Sequence, residues 1–410
     1  MGDLIDMSGH DWKRALKANA KGIVTAEVGN AYLMLTNGAF RGCIAYDEFG
    51  DRTFWAKAPP PLDEFTLPRQ GADLSDQDTV YVQHYFSRVG NPMQVTYRES
   101  TINSAVSAAG RRNTVHPLRE YLASLDWDGI ERLPHWCHEY LGCEDTPYAS
   151  AVGTWWLISA VARATQPGCQ VDHMLLLEGP QGIRKSSALR VLGGAWYLPE
   201  LPDINDGTRA AHALHGRWIV ECGELEALRR SEVTAVKDFI TRTVDIYRPA
   251  YGHHFVRRER SVVFAGTTNN LLSLSDPTGA RRFWPIRCGS IDIRLLRAAR
   301  DQLWAEARDR LKRGEQYYPT EDFVAAITEE QEERYQEDPW TRSVVDWAEQ
   351  RLLPFTLADV LGGPLNIPAE RWSKSAETRV GAILARANFI GRRELVAGHK
   401  IRVYPANSNT

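Results

Sequence analysis

The segment Gly179-Pro-Gln-Gly182-Ile-Arg-Lys185-Ser186-Ser187 has the residue types needed to hold a chain of phosphates. Glycines let backbone N–H groups turn toward anionic oxygens, and a helix N-terminus behind them adds polarity of the same sign. On this reading Gly179, Pro180, Gln181, Gly182, Ile183, Arg184, Lys185, Ser186 and Ser187 form a loop for ATP. Lys185 reaches the β- and γ-phosphates and the Ser186 hydroxyl ligates Mg2+. Glycine usually stands directly before the lysine, and here that position is Arg184. A left-handed backbone there would cost a residue with a Cβ about 1–2 kcal/mol. A chance glycine-rich turn is the bland alternative. Context favours the phosphate loop: Met174-Leu-Leu-Leu-Glu178 reads as a strand before it, and Ala188, Leu189, Val191 and Leu192 as a helix after it.

Phosphoryl chemistry also needs carboxylates, one beside the metal and one to activate the attacking water. Gly216-Arg-Trp-Ile-Val-Glu221-Cys-Gly-Glu224-Leu supplies a pair at the end of an apolar run. Glu221 takes the metal side and Glu224 the water, unless both are surface glutamates flanking a turn. Ser261-Val-Val-Phe-Ala-Gly-Thr-Thr-Asn269 is a second apolar run, ending in small polar residues. The Asn269 amide there suits the γ-phosphate or the attacking water, although Asn also caps ordinary turns. Arg281 and Arg282 follow. One guanidinium, reaching a neighbouring subunit's ATP, would neutralise charge on the transferred phosphoryl group; the alternative is a structural ion pair.

Between the acidic and polar runs lies a basic, aromatic stretch with Lys237, Arg242, Arg248, Tyr251, His253, His254, Arg257 and Arg258. Arg248, Tyr251, His253, His254, Arg257 and Arg258 have the chemistry to grip single-stranded DNA by stacking and phosphate contact without reading its sequence. The alternative is a solvated surface hairpin, and Lys237 and Arg242 equally suit a neighbour's nucleotide. His135-Trp-Cys137-His138-Glu-Tyr-Leu-Gly-Cys143 superficially resembles a zinc site. Its spacing does not fit a zinc finger, and Trp136, Cys137, Tyr140 and Leu141 fit the buried face of a helix.

The elements that must position these groups alternate. Strand-length runs at Met174–Leu177, Trp218–Val220 and Val262–Ala265 are separated by helical stretches at Ser186–Leu192 and Val233–Thr241. That pattern predicts an α/β fold with a mostly parallel sheet, buried on both faces. Ile291–Arg313 reads as one amphipathic helix with Leu295, Leu296, Ala299, Leu303, Ala307 and Leu311 on one side. Upstream, residues 1–112 read as an α+β lead-in, with Asn30 capping a helix and Ala58-Pro-Pro-Pro-Leu62 as a stiff loop between two small parts. Residues 113–170 read as a helical collar, 171–320 as the nucleotide domain, and 321–410 as a helical linker, marked by the charged run Glu329–Asp338, and a final small domain.

The chain has 410 residues, 43% hydrophobic and 25% charged, with a net charge of −3, so several packed domains are expected and no global basic field advertises nucleic acid. Met1–Trp12 holds Asp3, Asp6 and Asp11 and no apolar run, so no secretory signal is expected. Ala151–Ala162 is too short to span a bilayer. Six scattered cysteines fit reduced thiols in a cytoplasm.

Taken together, Gly179-Pro-Gln-Gly182, Glu221-x-x-Glu224-Leu, Tyr247-Arg-Pro-Ala-Tyr251, Gly266-Thr-Thr-Asn269 and Arg281-Arg-Phe-Trp-Pro285 resemble the virulence-associated protein E family, as do His116-Pro-Leu-Arg-Glu-Tyr-Leu and Leu125-Asp-Trp-Asp-Gly-Ile-Glu-Arg-Leu. These are phage- and mobile-island-encoded proteins similar to superfamily 3 helicases. The resemblance covers about residues 115–290. It implies an AAA+ core in an oligomeric ring, typically a hexamer, with ATP between subunits, Arg281 or Arg282 acting in trans, and single-stranded DNA in the pore. It also implies a pore hairpin with its tip at Tyr251–His254, and 3′–5′ movement. The last domain could form a winged helix from Leu357–Leu361, Ser375–Asn388 and a wing at Gly398–Tyr404, docking on DNA or on a replication protein. Two functions follow as expectations. One is an ATP-driven DNA helicase or translocase of a phage or prophage replication system. The other is an ATP-switched initiator or docking factor with little unwinding.

Overall fold

The computed structural model describes residues 12–63, 65–88, 95–223, 230–248, 254–269, 282–320, 323, 339–387, 389–396 and 399–405. The chain divides into two compact units, Met1–Leu272 with Asp276–Glu333, and Ser273–Ser275 with Arg334–Thr410.

The first unit opens with α1 (Val28–Asn37), β1 (Ile44–Asp47), β2 (Arg52–Trp55), α2 (Asp76–Ser87), α3 (Glu99–Arg112) and β3 (Thr114–Val115). The sheet order is β2-β1-β3, with β1 antiparallel to β2 and parallel to β3. Met34, Phe40, Trp55, Tyr81, Phe86 and Ile102 close one apolar core over it, which also takes in Leu62. The proline run therefore separates nothing: both sides of it share a core. Asn30 is not a cap. Helix α1 starts two residues earlier, and the buried Asn30 amide bonds Lys17 N at 2.9 Å, Lys17 O at 2.9 Å and Thr25 O at 2.9 Å. The side chain bonds the preceding loop in place of the helix end.

Three helices follow: α4 (Pro117–Ser124), α5 (Trp136–Leu141) and α6 (Pro147–Thr165). Thr146 caps α6 by accepting from Ala149 N at 3.1 Å, and Pro147 supplies the first-turn φ. Apolar residues on every face of α6 require burial on every face, and Val152, Trp156, Leu157 and Val161 are fully enclosed. Trp136, Cys137, Tyr140 and Leu141 of α5 lie in the same core.

The centre holds β4 (Met174–Glu178), α7 (Lys185–Gly193), β5 (Tyr197–Leu198), α8 (Gly207–Ala213), β6 (Ile219–Cys222), α9 (Arg230–Ile240), the hairpin β7 (Val244–Tyr247) with β8 (Val256–Glu259), β9 (Val263–Thr268), β10 (Phe283–Arg287) and α10 (Ile293–Lys312). Five strands form a parallel sheet in the order β10-β4-β9-β6-β5. Helices cover it, which is why its strands read as continuous apolar runs. Buried tryptophans fasten the layers: Trp156 donates to Phe264 O at 2.9 Å, Trp218 to Ala160 O at 2.7 Å and Trp304 to Leu192 O at 3.1 Å. On α10, Leu296, Leu303 and Ala307 face this core, but Leu295 is 46% exposed because it falls outside the stripe.

The second unit comprises α11 (Thr341–Glu349), β11 (Phe355–Thr356), α12 (Leu357–Gly362), α13 (Lys374–Arg386), β12 (Arg392–Val396) and β13 (His399–Tyr404). Its antiparallel sheet runs β11-β13-β12 over Val344, Phe355, Leu361, Val380, Leu384 and Tyr404. The charged run Glu329–Asp338 and Gly398 lie outside the described residues. Among the described residues, no helix is long and apolar enough to cross a membrane.

Candidate functional site

Strand β4 ends at Glu178, and the chain turns at once through Gly179 (φ 149°) and Gly182 (φ 86°). A Cβ on Gly179 would lie 2.7 Å from Ile183 Cδ1 and 3.0 Å from Cys288 O, so this position needs glycine for space as well as for φ. Arg184 then adopts φ 76°, ψ 28°, the left-handed conformation, as the residue leading into α7. Lys185 follows with its side chain folded over the loop. Its ammonium donates to Gly179 O at 2.6 Å, Pro180 O at 3.0 Å and Asn269 Oδ1 at 3.3 Å.

Because β4, β9 and β6 are parallel neighbours, their C-terminal ends share one edge of the sheet, where α/β sheets place ligands. That edge brings together the loop after β4, Asn269 after β9 and Glu221 on β6. Glu221 is 2% exposed and is the focus of three hydroxyls. Ser186 Oγ and Thr267 Oγ1 each donate to Oε1 at 2.7 Å, and the Tyr197 phenol donates to Oε2. Burial, then the hydrogen bond to Glu221, pushes the Tyr197 phenol well up, so it stays a donor at neutral pH. Burial also pushes the neighbouring Cys222 thiol up to about 12, which leaves it inert. The Glu221 carboxylate and the Ser186 hydroxyl are hard oxygen donors of the kind Mg2+ takes. Glu224, the second carboxylate read from the sequence, lies outside the described residues.

A model of the virulence-associated protein E-like domain matches residues 122–337, more than half of the chain. The chain belongs to the virulence-associated protein E-like family. No curated protein matches it. Among solved structures, the A form apo structure of the NrS-1 C terminal region is similar at 12% identity and TM-score 0.46, over 88% of this chain and 95% of that one. A second apo structure of the same region gives 11% identity and TM-score 0.47, with the same coverage of both chains.

The virulence-associated protein E-like domain carries the basic segment as a two-stranded hairpin apart from the main sheet. Ile246 pairs with Arg257 across it, and Tyr247 with Val256. One face carries Ile246 (66% exposed), Phe255 (74% exposed) and an exposed Arg257, with His254 and Arg248 also exposed. Arg258 points the other way. Its guanidinium donates to Glu48 O at 2.5 Å and Phe49 O at 3.1 Å and pairs with Asp51 at 3.1 Å. Tyr251, His253 and Arg281 lie outside the described residues. Arg282 is 3.4 Å from Asp238 on α9, and the buried Lys237 sits over the Phe283 ring at 5.5 Å. The structure thus assembles Lys185, Ser186, Glu221 and Asn269 at one place and sets Arg257 and Arg258 on opposite faces of a hairpin.

Tyr197 and Thr267 escaped the sequence reading. Thr267 carried a signal, since strand alternation puts it on the side of Asn269. Tyr197 carried none: it reaches Glu221 only because β5 pairs with β6.

Proposed function

We propose that this chain is an ATP-dependent DNA helicase or translocase of a phage or prophage replication system, hydrolysing ATP between the subunits of a hexameric ring and drawing single-stranded DNA through its pore. The observation that carries the reading is the convergence of the Lys185 ammonium, Asn269, Ser186 and the buried Glu221 at the C-terminal edge of the parallel sheet. In this reading residues 171–320 are an AAA+ core and residues 113–170 its collar. The second unit, with its helix-strand-helix-helix order and terminal antiparallel pair, is a winged-helix-like module.

Lys185 would leave the loop carbonyls for the β- and γ-phosphate oxygens, which N–H groups of Gly182–Ser187 would also meet. Ser186 and Glu221 would hold Mg2+, whose charge offsets that of the phosphates. Tyr197 and Thr267 fix the Glu221 carboxylate, as partners of a metal ligand do. Asn269 orients the attacking water and Glu224 takes its proton. Arg281 or Arg282 supplies positive charge to a neighbour's γ-phosphate. Arg248, Tyr251, His253, His254 and Arg257 contact the strand.

The left-handed Arg184 favours a second reading, in which ATP binding switches assembly or docking with little turnover. ATP hydrolysis, measured with and without single-stranded DNA in the wild type and in Lys185→Ala, separates the two. Stimulation by DNA that disappears in Lys185→Ala supports the motor. Nucleotide binding with no hydrolysis in the wild type supports the switch.

A further inference from the structure

The hairpin β7–β8 has only two strands, and an isolated pair of strands is marginal in water. Its outer face is exposed, so something on its inner face must hold it. Arg260, at the end of β8, makes a two-toothed contact with Asp245 of β7 at 2.7 Å for each bond. Helix α8 packs against β7, with the His212 ring 4.7 Å from that of Tyr247, and a distant part of the chain adds a further hold. The turn Glu48-Phe49-Gly50-Asp51, between β1 and β2 of the N-terminal sheet, lies against the hairpin base and the α8–β6 loop.

Asp51 is the hub of that contact. It adopts φ 53°, unusual outside glycine. Oδ2 lies 3.1 Å from Arg258 of β8 and 3.8 Å from His215 Nδ1, and Oδ1 accepts from the Tyr46 phenol at 2.5 Å. The other ring nitrogen of His215 is hydrogen-bonded to the Tyr247 phenol of β7 at 2.8 Å. Arg258 of β8 is therefore tied directly to one carboxylate about 200 residues earlier in the chain, and Tyr247 of β7 is tied to His215, which faces the same carboxylate. The backbones also meet: Gly216 N donates to Phe49 O at 2.9 Å, and a Cβ on Gly216 would sit 3.1 Å from Gly50 Cα. Beside the contact lies a cavity of about 230 Å³, lined by Glu48, Phe49, His116, Arg119 and Asp245 among others. Buried Phe49, Ala211, Leu214 and Tyr247 pack around the contact, and the polar bonds set its register.

We propose that Asp51 is a positioning residue for nucleic acid: through its ion pair with Arg258, the N-terminal module holds the base of β7–β8 so that the exposed face with Ile246, Phe255 and Arg257 is set for a single strand. The strand-contacting half of this rests on the DNA reading above; the mechanical half does not. It also gives Arg258 a structural task in place of a direct phosphate contact.

The test uses Asp51→Asn in the full chain, because Asn tolerates the left-handed backbone while losing the charge. Asp73→Asn is the control, since it removes the Arg52–Asp73 ion pair of the same module and leaves Asp51 in place. Hydrogen–deuterium exchange should rise about tenfold at the amides of Val244–Tyr247 and Val256–Glu259 in Asp51→Asn, with β4 and β9 unchanged and with no hairpin effect in Asp73→Asn. Fluorescence anisotropy with labelled oligothymidylate should show about tenfold weaker binding in Asp51→Asn alone. Unchanged hairpin exchange, or a rise spread over the whole unit, overturns the proposal. So does a looser hairpin with undiminished oligothymidylate affinity. A wild type that binds no oligothymidylate refutes the DNA reading instead, and the exchange data then decide the coupling alone.

Discussion

Arg184→Gly should stabilise the first unit. Arg184 is exposed and sits at φ 76°, ψ 28°. A residue with a Cβ loses about 1–2 kcal/mol there relative to glycine. Glycine gives back about 0.4–1 kcal/mol through the greater freedom of its unfolded chain. The net gain is about 0.5–1 kcal/mol. With an unfolding entropy near 2.1 cal/mol/K per residue over roughly 300 residues, that is a rise of about 1–2 °C in melting temperature. Arg184→Ala separates the backbone from the charge, because alanine keeps the Cβ and loses the guanidinium. Thermal unfolding followed by tryptophan fluorescence should place Arg184→Gly about 1 kcal/mol above Arg184→Ala. If the two variants melt together, the left-handed backbone is relaxed by the loop at no cost, and the argument from strain fails.

Other consequences are as direct. Gly179→Ala should lower stability by about 1–3 kcal/mol and abolish nucleotide binding, since its Cβ meets Ile183 and Cys288 O; near-normal binding of a fluorescent ATP analogue would contradict the close-approach argument. Tyr197→Phe should raise the Mg2+ concentration needed for half-maximal hydrolysis by about 10–100-fold while metal-free nucleotide binding is retained; an unchanged Mg2+ dependence removes Tyr197 from the site. Acid should destabilise the first unit. Burial lowers His215 from 6.5 to about 4 and His173 to about 3. The unfolded state then binds more protons than the folded state below about pH 6.5, so stability is full above that pH and is lost as pH falls toward 4. His215→Gln should flatten that slope in urea titrations at pH 7 and pH 5, and an unaltered slope would assign the acid sensitivity elsewhere.

The glycine turn after β4 and the residues around it were legible as structure because their signals are local. A strand, a glycine turn, Lys-Ser and an amphipathic helix lie within about twenty residues, and periodicity reports burial over such distances. The same holds for Glu221 and Asn269, each read from the polar end of an apolar strand. Leu295 and Asn30 show where local reading stops. Helical spacing placed Leu295 with the buried stripe, but packing against α6 and α7 selects a narrower one. Asn30 has a capping residue's chemistry, yet its amide serves a loop up to 13 residues away.

By itself, then, the order of residues determined which segments become buried parallel strands and where the glycine turn between β4 and α7 falls, because both follow from side-chain type and backbone freedom over short stretches. The tertiary structure alone decided which strands become neighbours. That choice set Tyr197 against Glu221, and it turned Arg258 away from the exposed hairpin face toward Glu48 O, 210 positions distant in the chain. Such pairings arise from layers closing over a shared core, and no sequence interval encodes the distance between groups that meet only when the sheet is complete.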